Sequence, residues 1–106
     1  MRRKELSRDR RRLLDLMRDM GYGRIENLTI RAGEPVFDES LRLVREKLLG
    51  RKAKGRASPP QGDFELKAQQ IEVFECFDQM QNGYIPVLKV QDGLPFQLQL
   101  EERITT

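Results

Sequence analysis

Residues 5–36, ELSRDRRRLLDLMRDMGYGRIENLTIRAGEPV, lie without a gap over residues 65–96, ELKAQQIEVFECFDQMQNGYIPVLKVQDGLPF. Eight of the 32 aligned pairs are identical, where chance gives about two. They are Glu5/Glu65, Leu6/Leu66, Met20/Met80, Gly23/Gly83, Ile25/Ile85, Leu28/Leu88, Gly33/Gly93 and Pro35/Pro95. Leu13/Val73, Leu14/Phe74, Met17/Phe77, Ile30/Val90 and Val36/Phe96 stay apolar besides. A duplicated unit is the simplest reading, and it dictates the architecture expected below.

Each copy opens on a helical pattern. Leu66, Gln70, Val73, Phe77 and Met80 fall on one stripe, as do Leu6, Arg10, Leu13, Met17 and Met20, so a polar residue interrupts both stripes at the same place. Gly62-Asp63 offers an N-cap for the second helix. Glycines in Gly21-Tyr22-Gly23 and Asn82-Gly83 supply the C-terminal caps. Strand patterns follow at 25–30 and 85–90, and the spacing of Ile25, Leu28 and Ile30 breaks strict alternation, which implies a bulge or partial burial of both faces.

Ala32-Gly33 and Asp92-Gly93 then read as hairpin turns. Pro35 and Pro95, lacking a ladder donor, place the returning strands at sheet edges. In the second copy Phe96, Leu98 and Leu100 alternate with Gln97, Gln99 and Glu101, a one-sided strand. The first copy departs after Phe37: Leu41, Val44 and Leu48 suit a short extra helix over 41–49 stopped by Gly50, while Leu41-Arg42-Leu43 equally suits a longer strand.

The chain has 106 residues, and half of it would struggle to bury a core of its own. The expectation is therefore one domain of two αββ units, 5–49 and 63–104, joined by a flexible linker over 50–62. Two helices would pack on a roughly four-stranded antiparallel sheet about a pseudo-twofold axis, an α+β fold with Leu6, Leu13, Met17, Leu66, Val73 and Phe77 in a shared core. Helix, Gly83-x-Ile85, Val90-Gln91-Asp92-Gly93 and a short alternating strand closing on Glu101, Glu102 and Arg103 resemble the small bacterial YezD-like proteins. The resemblance covers 66–103 and, more weakly, 6–37, with Pro86 and Pro95 departing from the pattern. It implies shape and carries no catalytic residues.

The chemistry that the sequence offers is sparse. There is no histidine and one cysteine, Cys76, so no histidine acid/base, no Cys/His pair and no internal disulfide can form. The expectation is a non-enzyme with no cofactor and no metal, placed in the cytoplasm because a lone cysteine fits a reducing compartment and no membrane span or secretory signal is legible.

Charge is the sharper signal. Residues 1–60 carry 17 Lys/Arg against 9 Asp/Glu, while residues 61–106 carry 3 against 8. On a helical wheel Lys4, Arg8, Arg11 and Arg18 stand opposite the apolar stripe of the first helix, with Arg2, Arg3, Arg10 and Arg12 enlarging the cluster. Such a face binds phosphates weakly and without sequence preference, or it is solvated or docked on the acidic second half. At the same face of the second helix, Phe64 and Ile71 replace Lys4 and Arg11. They are covered within the chain by Leu41, Val44 and Leu48, or they form a patch for another protein or a second copy. Two functions are carried forward: a non-enzymatic interaction or oligomerisation module with an unknown protein partner or itself, and a nucleic-acid-binding accessory protein using Lys4, Arg8, Arg11, Arg12 and Arg18.

Overall fold

The structure, a computed structural model, describes residues 2–47, 49 and 66–101. A 3-10 turn, Arg3–Glu5, leads into helix α1, Arg8–Met20, and strands β1, Gly23–Arg31, β2, Glu34–Val36, and β3, Arg42–Arg45. Helix α2, Ala68–Met80, and strands β4, Gly83–Gln91, and β5, Leu94–Gln99, complete it. The 50–62 linker, the Gly62-Asp63 cap and Phe64 lie outside the described residues.

The architecture is α+β, two helices over an antiparallel sheet ordered β2-β1-β4-β5, with β3 also on β1. β4 runs along β1 from Gly23 opposite Val90 to Ile30 opposite Gly83. That occupies one side of β1, so β2 (opposite 29–31) and β3 (opposite 23–26) share the other, one after the other. The sheet thus has five strands rather than four, because the outer strand of the first half is interrupted at 37–41. The short helix over 41–49 is corrected by β3: Gly23 has no Cβ, and one built there would stand 2.1 Å from the Val44 carbonyl oxygen. The backbone of β3 can therefore close onto β1.

One core holds Leu6, Leu13, Leu14, Met17, Met20, Leu66, Val73, Phe74 and Phe77 together with Ile25, Leu28, Ile30, Ile85, Leu88 and Val90. All six residues expected to share a core lie in it. The break in alternation falls on both central strands at once. Glu26 pairs with Val87 and Leu28 with Ile85, while Asn27 between them adopts a positive φ of 62°. Register is kept across the break, so Ile25 and Leu28, three residues apart, are both buried.

The helix ends differ from expectation in detail. α1 begins two residues after Leu6, because the Ser7 side chain caps it, accepting from the Arg10 amide at 3.2 Å. α2 begins at Ala68, where the buried Gln70 side chain accepts the Lys67 amide at 2.8 Å. That bond satisfies the Gln70 carbonyl oxygen within the second stripe, while its buried Nε2 finds no hydrogen-bond partner among the described residues. Gly21 ends α1 at φ 75°, as expected, but α2 ends on Gln81 at φ 59° rather than on Gly83. Both turns carry positive φ at each central residue, 52° and 75° at Ala32-Gly33 and 58° and 77° at Asp92-Gly93, the signature of a type I′ hairpin. Pro35 and Pro95 sit on the two outer strands, where a missing amide costs no ladder bond on the solvent side.

Candidate interaction surfaces

Most of the basic residues at the start of the chain are engaged within the molecule. Arg10 is mostly buried, its side chain 14% exposed. Its Nε and Nη2 donate to the Gly33 carbonyl at 3.2 and 2.8 Å, Nη2 also pairs with Asp78 of α2, and the guanidinium stacks 5.5 Å from the Phe74 ring centroid. Arg3 pairs with Asp15. Arg12, an exposed residue, lays its guanidinium over Phe37 with 4.2 Å to the ring centroid. Arg45 of β3 holds Asp19 at 2.8 Å.

The expected row of Lys4, Arg8, Arg11 and Arg18 is not one helix face. Lys4 sits in the 3-10 turn, because Leu6 and Ser7 are extended ahead of the cap. Lys4 and Arg8 are exposed, while Arg11 and Arg18 are half-buried. Arg18 lies against the second hairpin: a Cβ built on Gly93 would stand 3.4 Å from the Arg18 Cα. Ile71 is half-buried and packs on the core. Leu41 and Leu43 lie instead with Leu16, Phe37 and Arg12 around a shallow cavity beside α1. Cys76 is half-buried on α2.

The sheet surface away from the core carries an ionic ladder that ties β3 down. Glu26 accepts from Arg24 Nε at 2.7 Å and faces Arg42 Nε at 3.6 Å, and Arg24 reaches Glu46 at 3.7 Å. The hydrogen bond from Arg24, helped by the charges of Arg24 and Arg42, holds the Glu26 carboxyl below its ordinary value against the opposing effect of desolvation. In the bend before β3, the Ser40 hydroxyl and amide donate to Asp38 at 2.6 and 3.0 Å. The hydroxyl bond is the larger cause of the lowered Asp38 value. Tyr84 donates to Asn27 on the neighbouring strand.

The outermost strand of the second half differs in kind. From Leu94 to Leu100 it carries no charge, in a chain that is 35% charged. Of the stripe expected to be buried, only Leu98 packs on the core, while Phe96 is 54% and Leu100 45% exposed. The register shifts between Lys89 and Val90, leaving Phe96 as a bulge on β5 between Pro95 and Gln97, so the strict alternation does not carry through. Among the described residues, no strand covers the far side of β5. Neither Phe96 nor Leu100 stood out as a candidate from periodicity, because apolar alternation reads as a buried face. The absence of charge over seven residues was the available signal. Among the described residues no helix is long and apolar enough to cross a membrane, and no three Cys, Asp or Glu side chains come together as a metal site. No family model, no curated protein and no solved structure matches the chain.

Proposed function

We propose that the chain is a non-enzymatic protein-interaction module, built from two copies of a YezD-like αββ unit about a local twofold axis, with the outer edge of β5, which no strand among the described residues covers, as its working surface. The element bounds support the duplication: α1 and β1 recur sixty residues on as α2 and β4, residue for residue. So does the strand register. Advancing Ile25 by sixty gives Ile85 and retarding Leu88 by sixty gives Leu28, and the pair Ile25–Leu88 becomes the pair Leu28–Ile85, which is also present. Self-exchange of this kind is the property of an isologous contact.

The observation that carries the function is the uncharged β5 edge with Phe96 exposed. Sheet edges recruit strands through unpaired amides and carbonyls, and natural proteins usually blunt them with charge or irregularity. The first outer strand is blunted in that way, being broken at 37–41 and bearing Arg42 and Arg45. β5 is not. The test replaces Phe96 or, separately, Arg8 by photoreactive p-benzoylphenylalanine in cells. A protein adduct from position 96, whether to another chain or to the same one, supports the reading. Adducts only from position 8, and to nucleic acid, replace it with the second function, which the exposed Lys4, Arg8 and Arg12 favour.

A further inference from the structure

Resting on that reading, we propose that the partner at this edge is a second copy of the chain, its β5 running antiparallel to the first about a twofold axis centred on Leu98. Three features of the edge select this occupant. The segment Leu94–Leu100 is uncharged, so laying it against itself brings no like charges opposite one another, and it offers nothing to attract a charged partner strand. A register centred on Leu98 brings the bulged Phe96 of each copy beside Leu100 of the other. The two large apolar residues left exposed on the edge thereby cover each other, and Gln97 meets Gln99 across the axis, amide to amide. Pro95, which has no amide to donate, falls at the margin of this register rather than within it.

The rest of the sheet limits the assembly to two copies. The opposite edge consists of three residues of β2, a break, and the arginine-bearing β3. An isologous contact through β5 therefore closes on itself instead of growing. One strand edge buries less than the ~1,200 Å² of the smallest stable interfaces, so the dimer belongs to the weak class, with dissociation at micromolar or higher concentration.

Sedimentation velocity of the full chain from about 1 to about 300 µM tests this at about 0.05 M and about 0.5 M salt. A monomer–dimer shift that is insensitive to salt and goes no further than dimer is expected. Phe96→Lys and Leu100→Glu, both at exposed positions and checked for unchanged circular dichroism, should each abolish it. Mixing the two variants should restore a dimer, since the register brings the F96K side chain of one copy beside the L100E side chain of the other. A chain that stays monomeric throughout, a dimer indifferent to F96K, or species that grow past dimer and dissolve in salt would overturn the proposal. If the chain is monomeric yet position 96 cross-links to a different protein, the interaction reading stands and the second copy is the wrong partner.

Discussion

The Gly33 amide donates to the Gln81 carbonyl at 2.8 Å, and the Gly93 amide donates to the Gly21 carbonyl at 2.8 Å. Each hairpin turn thus caps the C-terminus of the helix belonging to the other half, satisfying a carbonyl that the helix itself leaves unpaired. A second pair of contacts follows the first: the Ala32 amide donates to Asn82 Oδ1 at 3.1 Å, and the Tyr22 hydroxyl to Asp92 Oδ1 at 3.4 Å. The two glycines should therefore be alike in their sensitivity. Gly33→Ala and Gly93→Ala, at φ 75° and 77°, are each expected to cost about 1–2 kcal/mol, read from urea midpoints.

Ala32 occupies a left-handed position at φ 52°, where its counterpart is Asp92 at 58°. Asparagine tolerates that conformation far better than alanine, and Asn-Gly is the favoured type I′ pair. Ala32→Asn should raise stability by about 0.5–1 kcal/mol, visible as a higher midpoint with an unchanged slope. A fall would mean that the Ala32 methyl packs in a way the turn geometry does not suggest.

Arg10 and Asp78 form one ion pair with unequal ends, 14% and 61% exposed. Removing the buried end also removes the bonds to Gly33 and the contact with Phe74, so Arg10→Ala should cost about 2–3 kcal/mol. Asp78→Ala leaves Arg10 its carbonyl partner and should cost less than about 1 kcal/mol. Equal losses would show that the pair itself, not the bond to the turn, is what matters.

Gly23 and Gly83 are identical in sequence and different in surroundings. A Cβ at Gly23 meets the Val44 carbonyl oxygen at 2.1 Å, and φ there is 146°, whereas at Gly83 it meets the flexible Met80 side chain at 2.5 Å. Gly23→Ala should detach β3, with fast amide exchange at Val44 and Arg45, while Gly83→Ala should be the milder change. The reverse order would contradict the pairing of β3 with β1.

Both lowered carboxyls act in the same direction with pH. Glu26 and Asp38 titrate below their ordinary values in the folded chain, so their contribution is present at neutral pH and is lost as pH falls from the ordinary carboxylate range through the folded values. Arg24→Ala should raise the Glu26 titration midpoint, and Ser40→Ala that of Asp38, each followed by carboxyl carbon shifts. An unmoved midpoint in either variant would remove the assigned cause.

Much of this was legible in the chain. The helices, both turns, the outer position of Pro35 and Pro95 and the six core residues follow from local pattern and turn chemistry. β3 did not, because the apolar spacing of Leu41, Val44 and Leu48 suits a helix as well as a strand over so short a run. What decides between them is a distant residue without a side chain, Gly23. Arg10 was equally opaque: on a helical wheel it is one more cation, and only the closed fold brings the Gly33 carbonyl and Asp78 within reach of its guanidinium. The cap at Gln81 escaped for a related reason, since a non-glycine residue is held at positive φ where the Gly33 amide supplies a partner for its carbonyl.

Reciprocal capping makes the two halves one cooperative unit, and native-state amide exchange at Gly33 and Gly93 tests it most directly. Both amides should exchange only through global unfolding, with the same free energy as each other and as Leu28 and Leu88 at the centre of the sheet. Exchange of either glycine at the rate of an exposed turn, or two halves that open with different free energies, would contradict the account.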